Sequence, residues 1–417
     1  MDKRQIVSLK EVVLSANTGA DAIQRAPIVH YDTGIKCIRI QDISQNKNYK
    51  DWGFCEIKDS DYSKFSLKSK DILIARTGET IGANKYIHQN LKAVFNNGLI
   101  RLKVVEDLCF PKYLYYVLQD QYFVGFVDGY FRSTSTQPNM KIGDLLRFKI
   151  HLPSLLIQYR IASILSAYDD LIENNLRRIK ILEEMAQIIY REWFIKFRFH
   201  GHQKVKLVDS SLGKIPEGWE ICALSELVDF VKGVEPGSKN YHSSYEDGML
   251  PLLRVGDLGK RESVIFVNRE LVKDSILRPE DIAITMDGTV GLVRIGLEGA
   301  YSSGIRRVVF KDPKRIGWAF VYQLLQSDSI QAIIHAHAKG TTIKHAGSSI
   351  GYMIFALPKF NLMEEFEKHA VPLLKQTLCL VQRNKVLERS RDLLLPKLIT
   401  GELDVSELDI TIPEANA

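Results

Sequence analysis

The sequence predicts a mixed α/β (α+β) protein in which two homologous domains are joined by two long antiparallel helices, with pseudo-twofold cyclic symmetry. Three observations lead to this fold class. Short sequence blocks recur in the same order in both halves of the chain, each half ends in a Leu-Pro pair followed by a long helical pattern, and each helical pattern contains one asparagine among its apolar positions. Such long-period self-similarity determines how the rest of the chain is interpreted.

The composition is that of a soluble globular protein long enough for several domains. Its 417 residues are 45% hydrophobic and 25% charged, with a net charge of +6. This basic balance is compatible with a nucleic-acid partner without requiring one. The five cysteines lack CxxC spacing, so neither a zinc cluster nor a disulfide framework is expected. The N-terminus lacks a signal-peptide pattern and no apolar run is long enough to span a membrane, so we expect a cytoplasmic protein.

The repeated blocks align with an offset that shrinks along the chain. IVSLKEVV pairs with ICALSELV, CIRIQDIS with LLRVGDLG, KDILIARTGETIG with EDIAITMDGTVG, and NNGLIRL with SSGIRRV. The offset is 215 residues from Arg39 to Arg254 and 205 from Pro153 to Pro358. Deletions in surface loops of one copy produce this behaviour, because loops tolerate changes in length. The chain therefore contains two copies of one domain.

Within each copy, short β-branched runs bounded by Gly, Asp or Asn predict strands. In the first copy these runs are IRIQDI, DILIAR and GLIRLKV. Helical spacing of apolar residues in FPKYLYYVLQ and IGWAFVYQLLQ predicts one equivalent helix in each copy. Each copy is thus expected to be a mixed α/β unit with several polar loops.

After each Leu-Pro pair, apolar residues recur with the four-three spacing of a coiled-coil seam. The first seam runs from Ile161 to Trp193, roughly 48 Å at the rise of an α-helix, and the second runs from Phe366 to Leu398. Arg391 does not fit the second seam. Pro372 and Pro396 also lie in the second segment, so this helix is expected either to bend or to begin near Pro372.

The two seam asparagines predict the direction of the helix pair. Asn175 lies two residues before the centre of its seam, and Asn384 lies two residues after the centre of the other. The two side chains face each other only if the helices are antiparallel, and a buried polar pair would then set the helix-pair register. Two unrelated, solvated asparagines are the alternative interpretation.

These residues together resemble the DNA-specificity (S) subunits of type I restriction-modification systems, over essentially the whole chain. The similar segments are IRIQDI and LLRVGDL, the two glycine-containing blocks, TSTQPN, KGTTIKH, LPSLLIQYRIASILSAYDDLIE, GKIPEGWE and the final KLITGELDV. The sequence departs from the family pattern at Ile157-Gln158, where Glu-Gln is common, and in KFNLMEEF after the second Leu-Pro. These departures affect only the first turn of each helix.

The resemblance implies target-recognition domains at residues 1–152 and 201–357, and long helices at 153–200 and 358–404. Each domain would read one half of a split DNA site, and the helices would set the spacer and dock the partners. The implied partners are double-stranded DNA, two methyltransferase subunits that bind S-adenosylmethionine, and ATP-driven restriction subunits in the assembled complex. The chain itself would be non-catalytic, with no cofactor, metal or membrane contact.

Catalytic motifs are also missing from the sequence itself. It has neither the glycine-rich cofactor loop with Asn/Asp-Pro-Pro-aromatic motif of an adenine methyltransferase nor a phosphate-binding loop. Asp42 with Glu56-Ile57-Lys58 resembles a nuclease carboxylate cluster, but the second copy lacks the pattern and both segments look loop-like. His335, His337 and His345 lack neighbouring Cys or carboxylate ligands that would complete a metal site.

Two polar loops in each copy are the candidate DNA-binding surfaces, because Lys and Arg neutralise phosphates while hydroxyls and amides position the backbone or read base edges. In the first copy they contain Arg76, Thr77, Thr80, Asn84 and Lys85, and then Arg132, Ser133, Thr134, Thr136, Gln137 and Asn139. In the second copy they contain Asp287, Thr289 and Arg294, and then Lys339, Thr341, Thr342, Lys344 and His345. Any one of these residues could instead serve as a turn or capping residue.

The copies differ most at these polar positions, which favours two unlike half-sites and a non-palindromic target read in opposite orientations. The competing function class is a scaffold or interaction protein that uses the coiled-coil strut without DNA. DNA affinity that does not depend on salt concentration would favour that alternative, since phosphate contacts release counterions.

Overall fold

The computed structural model describes residues 5–132, 138–259, 261, 263–340 and 344–410. Contacts within the chain divide it into two compact units. The first unit comprises residues 1–171 and 387–417, and the second comprises residues 172–386. Each unit is described by itself below.

The first unit contains three small sheets and short helices. Its elements are β1 (Gln5–Ser8), α1 (Leu9–Val12), β2 (Val13–Thr18), β3 (Ile28–Val29), β4 (Lys36–Ile38), α2 (Ile40–Ser44), β5 (Gly53–Cys55), α3 (Asp59–Phe65), β6 (Ile72–Ala75), β7 (Asn84–Tyr86), β8 (Ala93–Phe95), β9 (Leu99–Val104), α4 (Pro111–Val117), α5 (Gln121–Val127), α6 (Ile142–Leu145), β10 (Lys149–Leu152) and the start of α7 (Leu155–Tyr190). The sheets have the strand orders β1-β10, β2-β9-β6-β7 and β3-β5-β4-β8.

The second unit repeats this plan and adds one hairpin. Its elements are β11 (Leu207–Ser210), β12 (Gly213–Pro216), β13 (Glu220–Ala223), α8 (Leu224–Leu227), β14 (Val228–Lys232), β15 (Met249–Leu253), β16 (Phe266–Asn268), β17 (Ile276–Leu277), β18 (Ala283–Thr285), β19 (Val293–Arg294), β20 (Gly299–Tyr301), β21 (Ile305–Phe310), α9 (Trp318–Gln326), α10 (Asp328–Ala336), β22 (Ile354–Leu357) and most of α11 (Phe360–Thr400). The sheets are β13-β22, β14-β21-β18-β19 and β16-β15-β20-β17, beside the hairpin β11-β12.

The predicted duplication is confirmed by the matching sheets. Each unit has one antiparallel four-stranded sheet and one sheet with a single parallel strand pair, β4 with β8 or β15 with β20. The same ion pair also recurs on the antiparallel sheet of each unit. Arg101 lies 3.6 Å from Asp71 in the first unit, and Arg307 lies 3.9 Å from Asp281 in the second.

The IRIQDI block was predicted to form one strand, and this prediction is wrong. Strand β4 ends at Ile38, and α2 begins at Ile40 because the Asp42 carboxylate accepts a hydrogen bond from the Arg39 backbone N–H at 2.9 Å and turns the chain. The second unit has the equivalent bond from Arg254 to Asp257, also 2.9 Å. Asp42 is fully buried and pairs with Arg39 and Lys47. Its role is therefore structural, and it does not lie in an exposed loop.

A close approach of two backbones explains one glycine in each unit. A Cβ atom on Gly19 would overlap the main-chain carbonyl oxygens of Phe95 and Asn96. Gly233 meets Tyr301 and Ser302 in the same way in the second unit. These contacts accompany the parallel bridges Ala20↔Asn96 and Val234↔Ser302, which connect the two four-stranded sheets of each unit.

Both predicted seams, Ile161 to Trp193 and Phe366 to Leu398, lie within continuous helix. Helix α7 runs from Leu155 to Tyr190 and continues into one π-helical turn at Arg191–Ile195. Helix α11 begins at Phe360, so the expectation of a start near Pro372 is wrong, and it continues past Pro396 to Thr400. Each proline removes only one backbone N–H donor, while Ala370 and Leu374, on either side of Pro372, are fully buried. Packing therefore outweighs the lost hydrogen bonds.

In the second unit the two helices are antiparallel, as predicted. The Asn175 side-chain Nδ2 donates to Asn384 Oδ1 at 2.8 Å, and both residues are buried. One turn further along α7, Ile179 packs against Leu380, which lies one turn earlier in α11. That the asparagine pair selects this register remains a prediction, supported by the burial of both amides.

In the first unit the misfit Arg391 has a polar partner on the facing helix. Its Nη1 donates to Asp169 Oδ1 at 2.6 Å, and the other carboxylate oxygen of Asp169 accepts a hydrogen bond from the Tyr116 hydroxyl at 2.6 Å. Helix α4, which carries Tyr116, is thereby connected to both long helices. Arg391 thus takes part in a three-residue network at a position where the seam pattern requires an apolar residue.

Each long helix also caps the N-terminus of a short helix in its own unit. Gln158 of α7 is fully buried, and its Oε1 accepts from the Phe110 backbone N–H at 2.7 Å while its Nε2 donates to the carbonyls of Leu108 and Pro153. In the second unit, Glu367 of α11 accepts from the backbone N–H groups of Ala319 and Phe320 at 3.0 and 2.8 Å. The first unit thus uses an amide and the second a carboxylate for the same purpose.

The difference between these caps predicts a pH dependence of stability. Burial raises the pKa of Glu367 above its usual value of 4.5, although the backbone N–H groups oppose the shift. Protonated Glu367 therefore stabilises the folded state fully below its usual pKa of 4.5. This stabilisation is lost as the pH rises through the higher pKa of the folded state. We expect Glu367→Gln to flatten this decline in urea unfolding measured from pH 4 to pH 8. Glu364→Gln, an exposed change on the same helix, should leave the curve unaltered; parallel curves for wild type and Glu367→Gln would contradict the prediction.

Candidate nucleic-acid interface

The two candidate surfaces of the first copy lie side by side. The segment that follows β6 forms a backbone bridge between Thr77 and Asn139, and the Met140 N–H donates to the Arg76 carbonyl at 2.7 Å. The Arg76 side chain also donates from Nη2 to Asn139 Oδ1 at 2.9 Å. The glycine loop and the hydroxyl-rich loop are therefore parts of one surface, which the sequence analysis treated as two.

The second unit has the same arrangement with different side chains. A backbone bridge joins Asp287 to His345, and the Gly288 N–H donates to the Lys344 carbonyl at 2.8 Å. Lys339 and His345 pair through both of their backbone groups, at 3.0 and 2.7 Å. The His345 ring nitrogen Nδ1 lies 2.7 Å from Asp287 Oδ1, so an imidazole and a carboxylate lie where the first unit has asparagine and threonine.

Arg132 connects the two loops of the first unit. Its Nη1 donates to Asp128 at 2.5 Å, and its Nη2 donates to the Glu79 and Ile81 carbonyls of the glycine loop at 3.1 and 3.3 Å. The side chain still has 43% of its surface exposed. Arg132 therefore holds the loop and also presents positive charge at its edge. Six other predicted residues lie outside the described residues: Ser133, Thr134, Thr136, Gln137, Thr341 and Thr342.

Two of the predicted DNA contacts point into their own units. Asn84 on β7 donates from Nδ2 to the Leu118 carbonyl at 2.6 Å, which connects it to the end of α4. Arg294 on β19 donates to the Val293 carbonyl at 2.9 Å, and burial lowers the pKa of its guanidinium. We therefore remove Asn84 and Arg294 from the proposed DNA surface.

The other glycine-loop residues remain candidates. Thr80 is half-buried, and its carbonyl accepts from the Ala83 N–H at 3.0 Å in the loop turn. Lys85 reaches Asn46 at 3.4 Å. Thr289 is exposed, and its carbonyl accepts a hydrogen bond from the Thr285 hydroxyl at 2.5 Å.

Several side chains in the two units were not predicted to contact DNA but make contacts of interest here. Burial lowers the pKa of the Arg306 guanidinium on β21, and electrostatic attraction to Asp287 opposes this shift. His337 and Tyr352 stack with ring centroids 4.2 Å apart in the second unit, and Tyr130 contacts Arg147 at 3.4 Å in the first. Comparison of the GLIRL and GIRRV blocks could have drawn attention to Arg306, because Ile100 occupies the matching position.

The histidines do not form a metal cluster in the part of the chain that the structure describes, where no three His, Cys, Asp or Glu side chains are grouped for one ion. His337 contacts the Ile333 carbonyl at 2.9 Å, and His345 pairs with Asp287. The described helices also include none with the length and apolar character needed to cross a membrane.

Comparison with known proteins gives a consistent family assignment. Residues 3–184 match the family described as the type I restriction modification DNA specificity domain. The type I restriction enzyme MjaIX specificity subunit of Methanocaldococcus jannaschii is 27% identical over 73% of this chain and 72% of its own length. The type I restriction enzyme HindI specificity subunit of Haemophilus influenzae is 20% identical over 82% of this chain and 88% of its own length.

A solved structure supports the fold. The crystal structure of the type I restriction-modification system S subunit from M. genitalium covers 98% of this chain and 97% of its own, with a TM-score of 0.56 at 17% sequence identity. The similarity therefore extends over both units and both long helices. Residues 3–184 thus match a type I restriction modification DNA specificity domain, and the chain as a whole is similar to specificity subunits of type I restriction-modification systems.

Proposed function

We propose that this specificity subunit recognises a split, asymmetric DNA site, with the first unit reading one half and the second unit reading the other. The observation that carries the proposal is the duplicated scaffold with unlike side chains at one equivalent position. The bridge Thr77↔Asn139 of the first unit corresponds to Asp287↔His345 of the second. Since base edges are distinguished by their donors and acceptors, different side chains on the same scaffold suit different half-sites.

The long helices would serve as both spacer and docking surface. Continuous helix over Leu155–Tyr190 and Phe360–Thr400 suits a fixed separation between half-sites, because an α-helix rises about 1.5 Å per residue. In the second unit, Ile181, Met185 and Ile188 form a stripe along α7 with 55%, 46% and 56% of their surfaces exposed. An exposed apolar stripe of this kind suits a partner protein. We assign it to a methyltransferase subunit.

The chemical steps would belong to partner subunits. Two methyltransferase subunits would bind S-adenosylmethionine and methylate the site, and restriction subunits in the assembled complex would hydrolyse ATP and cleave DNA. This chain would supply the sequence specificity and the framework for assembly.

Exchange of residues 1–152 for those of a relative tests the assignment of one half-site to each unit. We expect methylome sequencing of a host that carries the complete system to show one half of the motif changed and the other half retained. The reciprocal exchange of residues 201–357 should change the other half. If either exchange changed the whole motif, or neither half changed in a complex that still methylates DNA, the proposal would be wrong.

A further inference from the structure

The internal duplication allows one position of the reading surface to be compared within the same protein. In both units the segment after the central strand, β6 or β18, bridges to the returning loop at matching residues, Thr77 to Asn139 and Asp287 to His345. The backbone is therefore conserved between the copies at this position. What differs is that only the second unit presents a carboxylate, Asp287, with 22% of its side chain exposed.

A carboxylate on a DNA-facing loop requires compensation, because phosphates repel it. Two groups in the second unit supply this compensation. His345 Nδ1 lies 2.7 Å from Asp287 Oδ1 on the exposed side, and the positive charge of Arg306 lies close to the same carboxylate. The first unit has Ile100 at the position of Arg306 and Asn139 at the position of His345. Both compensating groups therefore occur only in the unit that contains the acid.

The geometry leaves one acceptor oxygen for a ligand. His345 occupies Oδ1, while Oδ2 has no hydrogen-bond partner among the residues that the structure describes. The contact of His345 with Oδ1 restrains the carboxylate and therefore the direction of Oδ2. A carboxylate can only accept hydrogen bonds, so it selects a base edge that offers a donor.

Among the four bases, cytosine suits this acceptor best. In the major groove cytosine presents its N4 amino donor, whereas guanine and thymine present acceptors, and adenine places the N7 acceptor beside its N6 donor. We propose that Asp287 reads a cytosine in the half-site of the second unit and that His345 is a positioning residue that orients its carboxylate. This inference rests on the proposed function and adds the chemical identity of one base.

The Asp287→Asn variant tests the proposal with little change in shape. The amide adds a donor, so the variant should accept adenine or other bases where the parent requires cytosine. Discrimination against the wrong base should fall about tenfold, as for loss of one base contact. The readout is methylome sequencing of a host with the complete system. The parent motif should specify C·G at one position of the second half, and the variant motif should relax at that position alone.

Further variants separate the possible outcomes. His345→Gln should relax the same position more weakly, and Asp229→Asn, an exposed acid-to-amide change on β14, should leave the motif unchanged. If Asp287→Asn methylates the parent motif with unchanged stringency, or if the second half specifies no C·G pair, the inference is wrong. Exchange of residues 1–152 in parallel distinguishes the two failures: if that exchange still changes one half alone, only the role of Asp287 is overturned.

Discussion

Gly19→Ala is expected to destabilise the first unit by about 3 kcal/mol or more, because the new methyl group would overlap backbone atoms that cannot rotate away. The Cβ would meet the carbonyl oxygens of Phe95 and Asn96, where the two four-stranded sheets of the unit join. Relief would require the strands to separate. Gly233→Ala should have the same effect in the second unit. Urea unfolding followed by circular dichroism would measure both changes.

A matched glycine provides the control for this experiment. Gly125 lies in α5 with no atom within 4 Å of its would-be Cβ. Gly125→Ala should therefore stabilise the protein by roughly 0.5–1 kcal/mol, since alanine has the better helix propensity. If Gly19→Ala unfolded at the same urea concentration as the wild type, the close contact between the sheets would not be essential.

Asp169→Ala is the second change with a large expected effect, about 2–3 kcal/mol of lost stability. Its carboxylate accepts hydrogen bonds from both Tyr116 and Arg391, at 2.6 Å each. Removal leaves the Tyr116 hydroxyl without its acceptor and the Arg391 guanidinium with Asp392 as its remaining partner, in a largely buried setting. Such a loss is more destabilising than loss of an exposed pair. Thermal or urea unfolding of the full chain would show the loss.

An exposed ion pair on the same helix serves for comparison. Glu173 and Arg177 lie 2.5 Å apart, with 59% and 70% of their side chains exposed. Glu173→Ala should change stability by less than about 0.5 kcal/mol, because water screens exposed pairs. Equal effects of the two substitutions would show that the Asp169 network contributes no more than a surface contact.

The fold was largely predictable because repetition reveals architecture without homologues. Matching blocks around Arg39 and Arg254 identified equivalent positions of the two copies, and the spacing of Asn175 and Asn384 predicted antiparallel helices. The strand assigned to IRIQDI failed at Arg39, because the Asp42 cap that ends it depends on a side chain rather than on hydrophobic periodicity. The alternative that α11 begins near Pro372 failed for a related reason: tertiary packing outweighs local helix propensity.

The candidate site was predictable only in outline. Polar composition indicates loops, but the contact between Thr77 and Asn139 is tertiary and has no local signal. Likewise, the burial of Arg294 on β19 depends on tertiary packing that includes helix α9. Arg306 was missed because a cation within an apolar strand reads as part of the β-pattern, and its relation to Asp287 exists only after folding.

The cap made by Gln158 has a consequence for engineered chimaeras. It recognises the domain through one backbone N–H and two backbone carbonyls, at Phe110, Leu108 and Pro153. Main-chain atoms are present whatever side chains a relative carries. A transplanted domain joined just before this helix would therefore form the same hydrogen bonds with Gln158 whatever its sequence. New specificities could then be made by exchanging the domain alone.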